Sequence, residues 1–152
     1  QGNQLLIHDL HPDVTAEING TDFLQILLNL TINALQSSDL PHRVEIEARR
    51  LDHPLNLERL GSASGERSIN RGGCRNEAPL LSIAVSDDGG GIPPAAMDRM
   101  FVEKFSTKPV GKGTGLGLSI VRRLIEEAEG AIHLRTEPGR GSTFTVYLQV
   151  HE

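Results

Sequence analysis

The sequence predicts an α+β fold, a two-layer sandwich in which one mixed, mostly antiparallel sheet is covered on one face by about three helices. Three observations lead to this prediction. Residues 80–85 form a strongly apolar run of strand length, and residues 21–38 and 116–129 carry the apolar spacing of helices. At the end of the chain, two strand-like segments flank a glycine-containing turn, which is typical of an antiparallel hairpin.

Composition places the chain among ordinary globular domains. With 152 residues, 38% of them hydrophobic, it forms a single domain that can bury about two-thirds of its unfolded surface. A net charge of −5 without a basic stripe argues against a nucleic acid as partner. A single cysteine, Cys74, excludes an internal disulfide and is typical of a reducing compartment. Because there is no signal peptide and no apolar run of about 18 residues, we expect a cytoplasmic domain without direct membrane contact.

The first elements can be read from their local patterns. Residues 5–14 mix apolar and polar positions around a proline, which favours a strand, a turn and a short second strand. Capping residues at 19–22 precede the first helix, predicted over 21–38, and Asp39 and Pro41 end it. The sequence therefore predicts strands before the first helix.

The middle of the chain alternates between clear and absent patterns. Residues 44–48 alternate as a half-exposed strand, and the apolar strand 80–85 leads to Asp87. Between them, residues 50–77 are rich in Gly, Ser, Arg and Asn, and we predict a flexible insertion loop within the domain. Residues 95–105 are predicted to form a short helix.

The last part of the chain combines a glycine segment, a helix and a hairpin. Residues 106–113 are predicted to be a mobile loop, and the helix over 116–129 ends with Gly130 as its C-cap. Two strands at 131–136 and 142–150 flank a turn in which glycine takes a positive φ.

A polar stripe runs along the first helix. Asn29 and Asn33 lie one helical turn apart in an otherwise apolar run, and Gln25 extends the stripe by another turn. A buried amide without a partner costs about 1–3 kcal/mol, so we expect a polar group to meet this stripe. The amide oxygen of Asn33 suits Mg²⁺. The alternative is an asparagine that bonds neighbouring backbone in the core.

Asp87 ends the apolar strand and is followed by Asp88 and three glycines. A strand-end carboxylate can accept a hydrogen bond from an exocyclic amine, while glycine allows a planar ring to approach closely. The alternative is an ordinary Asp-Gly turn, and Asp88 is expected to belong to that turn or to the surface.

A second glycine segment precedes the last helix. Gly113, Gly115 and Gly117 expose backbone N–H groups at the positive end of the helix dipole, which binds anions well. The alternative is a flexible glycine loop. A P-loop is excluded because Gly113 follows Lys112, and a dinucleotide fingerprint belongs at the first strand–helix turn.

Together these segments resemble the catalytic and ATP-binding domain of sensor histidine kinases, in the superfamily shared with gyrase, the heat-shock chaperone ATPase and the mismatch-repair ATPase. The matching segments are 29–34, 87–93, 101–108, 111–118 and 139–144. The resemblance covers nearly the whole chain outside 50–77 and implies a Bergerat-type ATP-binding fold. Gln36 stands where the family commonly has lysine, a form similar to the nitrogen-regulation branch.

The resemblance implies ATP and Mg²⁺ as cofactors and a role for each motif. Asn33 would ligate Mg²⁺, Asn29 would support the phosphate and metal network, and Lys108 would reach the phosphates from a lid. Asp87 would bond the adenine amine in a pocket shaped by Gly89 and Gly91. Further residues implied by the resemblance bind the nucleotide or anchor the lid: Ile92, Gly113, Thr114, Gly115, Leu116 and Gly117 for the nucleotide, and Phe101 and Phe105 for the lid.

The position of Asn29 separates two activities within the superfamily. Its ATPases generally carry glutamate there as a general base, and an amide cannot take a proton. A neutral histidine acceptor already presents a nucleophilic lone pair, so we predict phosphoryl transfer from ATP to histidine. A hydrolase of the same fold and a nucleotide sensor without transfer remain the alternatives.

The phosphoacceptor is expected outside this sequence. None of the six histidines lies in a His-Glu-x-x-x-Pro context, and we interpret each as structural or solvated. The chain begins with Gln1, so we expect a fragment, monomeric by itself, of a homodimeric parent protein. The implied partners are an upstream dimerisation and phosphoacceptor domain and a downstream response regulator. Any membrane anchor would lie in the missing part.

Overall fold

The structure is a computed structural model that describes residues 3–9, 15–97, 99 and 117–151. In these ranges the sheet contains seven strands, namely β1 Gln4–Asp9, β2 Thr15–Ala16, β3 Arg43–Leu51, β4 Glu66–Ile69, β5 Leu80–Asp87, β6 Ala131–Glu137 and β7 Gly141–His151. Their spatial order is β1–β3–β5–β7–β6–β4, and β2 pairs with the end of β7. Among these strands β1 and β3 pair in parallel and the other pairs are antiparallel, so the predicted mixed sheet is confirmed.

The helices of the described residues are α1 Gly20–Leu35, α2 Pro94–Met97 and α3 Gly117–Glu127, with a 3-10 turn at Arg71–Gly73. Helix α1 begins where predicted because the Asn19 side chain accepts hydrogen bonds from the N–H groups of Thr21, at 2.7 Å, and Asp22, at 3.3 Å. It ends three residues earlier than predicted. No helix in these ranges combines the length and apolarity needed to span a membrane.

Both long helices pack on the same face of the sheet. Phe144, Val146 and Leu148 alternate along β7 and are almost completely buried, because a strand presents every second side chain to one face. They form one cluster with Leu30 of α1 and Ile125 of α3. Full burial of side chains of this kind contributes about 1.5–3 kcal/mol each, so this cluster fixes the position of α1 and α3 over the central strands.

Residues 50–77 contain a strand and a 3-10 turn, so the loop predicted there does not extend over the whole stretch. That the stretch is a flexible insertion stays a prediction. Strand β4 lies in this stretch and pairs antiparallel with β6. The buried side chain of Gln149 anchors the end of the stretch, since its amide bonds both the N–H of Glu77, at 2.8 Å, and its carbonyl, at 2.7 Å. Side-chain-to-backbone bonds of this kind order a polar segment without any apolar periodicity, which is why the sequence pattern missed them.

The glycines near the terminal hairpin have separate roles. Gly139 has φ +80° and Gly141 has φ +123°, which confirms the predicted positive φ in the turn. Gly130 was predicted as the C-cap of α3, but Glu129 takes the left-handed conformation with φ 55°. Gly130 is required for another reason, because a Cβ atom there would lie 2.5 Å from the Tyr147 carbonyl oxygen.

Several predicted segments fall outside the described residues. They are residues 10–14, the part of the predicted helix 95–105 that follows α2 except residue 99, the predicted loop 106–113 and residues 114–116.

Candidate nucleotide-binding site

Asp87 occupies the last position of β5, next to Val44 of β3 and Ser142 of β7 in the strand register. The residue is 8% exposed. Its Oδ1 accepts hydrogen bonds from the N–H of Gly89, at 2.9 Å, and from the hydroxyl of Ser37, at 3.0 Å. The residues that the structure describes form no hydrogen bond to Oδ2. The carboxylate is therefore held through one oxygen and keeps the other for a donor from outside.

Burial and hydrogen bonding act in opposite directions on the pKa of this carboxylate. Burial raises the pKa of Asp87 above its usual value, and the negative charge of Asp88 adds to that effect. The Gly89 N–H, the Ser37 hydroxyl and His42 lower the pKa but do not cancel the shift. The site thus holds a carboxyl group that titrates at a higher pH than an exposed aspartate does.

Gly89 and Gly91 are closely surrounded by other atoms of the chain, whereas Gly90 has open space at its Cβ position. A Cβ atom at Gly89 would lie 2.3 Å from Ser37 Oγ and 3.0 Å from Asp87 Oδ1. Gly91 has φ +78°, and a Cβ atom there would lie 2.7 Å from the Glu137 carbonyl oxygen. The bare backbone of both residues therefore forms a wall of the corner around Asp87.

The hairpin between β6 and β7 holds this wall in place. The Ile92 N–H donates to Thr136 Oγ1 at 2.8 Å, and Thr136 Oγ1 lies 2.9 Å from Ser142 Oγ. Gly139 N–H also donates to the Gly90 carbonyl at 2.9 Å. Sequence reasoning missed Thr136 and Ser142, although two hydroxyl groups where apolar strands end are a usable signal. Ile92 reaches the site through its backbone.

The polar stripe on α1 meets the start of α3. Asn29 Oδ1 accepts from Gln25 Nε2 at 2.8 Å, and Asn29 Nδ2 donates to the Gly117 carbonyl at 3.1 Å. Gln25 is exposed, whereas Asn29 and Asn33 are half-buried. Partners within the chain therefore satisfy Asn29. Asn33 lies one turn further along α1, between this contact and the Asp87 corner.

Ser37 and His42 are the residues of this corner that sequence reasoning missed. His42 was interpreted as a structural or solvated loop residue, and its exposure of only 9% agrees with the structural interpretation. Its Nε2 lies 3.2 Å from Ser37 Oγ. A signal for Ser37 was available, because Asn29, Asn33 and Ser37 follow one another at intervals of four residues.

The lid and most of the glycine segment remain predictions. Gly117 is described, and a Cβ atom there would have its nearest neighbours 3.9 Å away, in Asn29, so packing does not demand glycine. No group of three or more His, Cys, Asp or Glu residues in the described ranges is arranged to hold a metal ion. Mg²⁺ bound mainly by phosphate and water does not need such a group. The predicted site residues outside the described ranges are Phe101, Phe105, Lys108, Gly113, Thr114, Gly115 and Leu116.

Comparison with known proteins identifies the family. Residues 18–152 match the model of the family described as histidine kinase-, DNA gyrase B- and HSP90-like ATPases. Sensor kinase CckA of Brucella abortus is 35% identical over 140 residues, which are 92% of this chain and 13% of that protein. Sensory histidine kinase/phosphatase NtrB of Escherichia coli O157:H7 is 37% identical over 152 residues, which are 99% of this chain and 38% of that protein.

Solved structures agree with this fold. The mycobacterial sensor histidine kinase MprB superposes with a TM-score of 0.68 at 18% identity, covering 99% of this chain and 83% of that one. Full-length ShkA in complex with AMPPNP gives a TM-score of 0.68 at 26% identity, covering 98% of this chain and 26% of that one. The α+β fold and the resemblance read from the motifs are confirmed, and the chain belongs to the family of histidine kinase-, DNA gyrase B- and HSP90-like ATPases, as a catalytic domain of the sensor histidine kinase type.

Proposed function

We propose that this chain is one catalytic domain that binds Mg-ATP and transfers the γ-phosphoryl group to a histidine on a separate dimerisation and phosphoacceptor domain. The observation that carries the proposal is the buried carboxylate of Asp87. Gly89 and Ser37 bond its Oδ1, and no described residue donates a hydrogen bond to its Oδ2. It fits a ligand with an exocyclic amine beside a planar ring, and the family supplies ATP as that ligand.

Recognition of the base rests on the Asp87 corner. The adenine amine would donate to Oδ2, because Oδ1 is already occupied by Gly89 and Ser37. The ring would lie beside the backbone of Gly89 and Gly91, whose Cβ positions are taken up by Ser37 Oγ and the Glu137 carbonyl oxygen. A hydrogen bond to a charged group contributes about 1.5–3 kcal/mol, so Asp87 is expected to dominate the affinity for the base.

The phosphates are assigned to the part of the polar stripe that runs from Asn33 to the start of α3. Asn33 would hold Mg²⁺ through its amide oxygen, and Mg²⁺ would neutralise phosphate charge. Asn29 would support this network while it keeps the start of α3 next to α1. Lys108 and the backbone N–H groups of 113–117 would complete the phosphate contacts, as the resemblance implies.

Transfer to histidine is favoured over hydrolysis by Asn29. A hydrolase of this superfamily needs a base at that position, and the amide there can take no proton. In addition, both amide atoms of Asn29 are engaged, one by Gln25 and the other by Gly117. An imidazole acceptor needs positioning and charge neutralisation rather than a base.

The proposed partners are those expected for a catalytic domain of sensor kinases such as the two relatives. The chain spans 13% and 38% of the two relatives described above, which carry further sequence outside this domain. We propose an upstream dimerisation and phosphoacceptor domain in a homodimeric parent protein, a response regulator as the final acceptor, and a cytoplasmic location. Nucleic acid is not proposed as a partner, since the net charge is −5.

Calorimetry with a non-hydrolysable ATP analogue tests nucleotide binding. Asp87→Asn should weaken binding at least about 30-fold, because the amide presents a donor to the adenine amine in place of a charged acceptor. Asp88→Asn is the matched control, since Asp88 is exposed and its Oδ1 accepts from the Arg43 N–H at 2.6 Å. Equal affinities for wild type and Asp87→Asn would refute the site.

A second substitution tests the metal. Asn33→Ala should remove the dependence of the nucleotide affinity on Mg²⁺.

Phosphotransfer is tested by mixing the chain with its upstream histidine helices and γ-labelled ATP. We expect acid-labile label on the helices and none on this chain. Steady release of phosphate at enzyme-like rates would indicate a hydrolase, and binding without labelling or release would indicate a sensor.

A further inference from the structure

We infer that Ser37 and His42 are positioning residues that keep the Asp87 carboxylate ionised and oriented for the base. This inference rests on the proposed function, in which Asp87 receives the adenine amine. Three elements meet here, since Ser37 follows α1, His42 precedes β3 and Asp87 ends β5. Neither Ser37 nor His42 was among the site residues predicted from the sequence.

His42 sits where both ring nitrogens face acceptors. Nε2 lies 2.8 Å from the Ala34 carbonyl oxygen and Nδ1 lies 3.0 Å from the Leu40 carbonyl oxygen. Only the doubly protonated imidazolium donates from both nitrogens at once. Ala34 also belongs to the last turn of α1, where the helix dipole favours a positive charge. The geometry therefore selects the charged form of a buried histidine.

The balance of forces on His42 agrees with this geometry. Burial by itself lowers the pKa of His42, but the bonds to the Ala34 and Leu40 carbonyls and the charges of Asp87 and Asp88 outweigh burial, so the pKa is raised. Those two carboxylates are the charged groups that act on the ring. Asp88 is exposed, so solvent screens it more than it screens Asp87.

Ser37 connects the cation to the carboxylate. Its Oγ lies 3.2 Å from His42 Nε2, 2.8 Å from the Ala34 carbonyl oxygen and 3.0 Å from Asp87 Oδ1. The hydroxyl has one proton and two acceptors within reach. When His42 is protonated, its Nε2–H meets the Ala34 carbonyl, and the Ser37 proton turns to Asp87. When His42 is neutral with its proton on Nδ1, the Ala34 carbonyl and the bare Nε2 both compete for the Ser37 proton, and Asp87 loses a donor.

A pH limit for nucleotide binding follows from this arrangement. Protonated Asp87 is no longer a charged acceptor, so binding is lost as the pH falls through the pKa of Asp87. Burial moves that limit upward, whereas His42 and Ser37 move it downward. Removal of either residue should therefore bring the loss of binding closer to neutral pH.

The experiment measures the Kd of a non-hydrolysable ATP analogue from pH 5 to pH 9 with the complete chain. We expect Ser37→Ala and His42→Gln to shift the acidic limb upward by about 0.5–1 pH unit, with weaker binding near pH 6 and a smaller change at pH 8. His53→Gln is the control, since His53 is exposed and bonds only its neighbour Pro54 among the described residues. An acidic limb that is unchanged in Ser37→Ala would overturn the inference, even where His42→Gln fails to fold.

Two further measurements separate this inference from the proposed function. If Asp87→Asn binds the ATP analogue like wild type, the proposed site itself is refuted. If Asp87→Asn loses binding but the acidic limb of the Kd profile is unchanged in Ser37→Ala, only the positioning role is refuted. NMR titration of the His42 ring should give a raised pKa that falls in Asp87→Asn. A His42 pKa that is unaffected by Asp87→Asn would contradict the coupling.

Discussion

The two ends of the polar stripe on α1 are built differently. At the Asp87 end, Cβ atoms added to Gly141, Gly89 and Gly91 would lie 1.9, 2.3 and 2.7 Å from their nearest neighbours. At the Gly117 end, the nearest neighbour would be 3.9 Å away, and the contact with α1 is the bond from Asn29 to a backbone carbonyl. Among the described residues, the glycines of the Asp87 corner are thus packed tightly against other atoms of the chain, whereas a Cβ atom at Gly117 would make only ordinary van der Waals contact with Asn29.

This difference has a physical reason and a consequence for binding. The Asp87 corner is made of strand ends whose positions the sheet register determines, so a rigid base can be recognised by fixed groups. In the proposed site, the phosphates would instead be bound at the N-terminus of helix α3. Substitutions at matched glycines test this contrast directly.

The largest effect is expected for Gly141→Ala. The Cβ atom would overlap the Asp87 carbonyl oxygen, and the φ of +123° is unfavourable for alanine. We expect the free energy of unfolding to fall by about 3 kcal/mol or more, measured by urea denaturation. Gly139→Ala is the matched control, since Gly139 has φ +80° and open space, and should lose only about 1 kcal/mol. Equal losses at both glycines would contradict the packing argument.

Gly89→Ala should damage binding more than stability. Its Cβ atom meets the Ser37 hydroxyl, which can rotate away, so we expect a loss of about 1–2 kcal/mol in stability. The rotation breaks the bond from Ser37 to Asp87, and the affinity for the ATP analogue should fall about tenfold. In a double-mutant cycle by calorimetry, Gly89→Ala should lose less affinity when Ser37 is already alanine, and additive losses would argue against this contact.

Asn29→Ala tests the looser end. It removes the bond from α1 to Gly117, and we expect a loss of about 1 kcal/mol in stability. Hydrogen exchange should rise for the first hydrogen-bonded amides of α3, from Val121 onward, and stay unchanged in β5 and β7. Gln25→Ala is the control, because Gln25 is exposed and does not reach α3 through a described bond. A uniform rise in hydrogen exchange across the strands of the sheet would show that Asn29 stabilises the whole fold and not only the contact between α1 and α3.

The smallest effect is expected for Gly117→Ala. Because the added Cβ atom would lie at an ordinary contact distance of 3.9 Å from Asn29 at the start of α3, alanine should change stability by about 0.5 kcal/mol or less, in the direction of greater stability. Gly130→Ala, beyond the other end of α3, should instead destabilise the fold, because its Cβ atom would meet the Tyr147 carbonyl oxygen. Thermal unfolding of the two variants compares them, and a clear loss for Gly117→Ala would mean that this end is also tightly packed.

Most of the fold could be predicted because its elements have strong local patterns. The strand that ends at Asp87, the capped helix α1 and the terminal hairpin all follow from apolar spacing and capping. Strand β4 could not be predicted, since three of its four residues are polar and it depends on pairing with β6. The sequence placed the left-handed residue at the end of α3 at Gly130, whereas Glu129 takes that conformation. Gly130 is explained instead by its close approach to the Tyr147 carbonyl oxygen.

By itself, the sequence determined the family, the motifs and the residues around which a nucleotide site could form, because those signals lie within a few neighbouring positions. Only the tertiary structure decided which of these residues meet. Ser37 reaches Asp87 across 50 positions and Asn29 reaches Gly117 across 88, through contacts that depend on sheet register and helix packing. Local patterns carry no distances between such elements, and so the buried His42 beside the carboxylate became visible only in the folded chain.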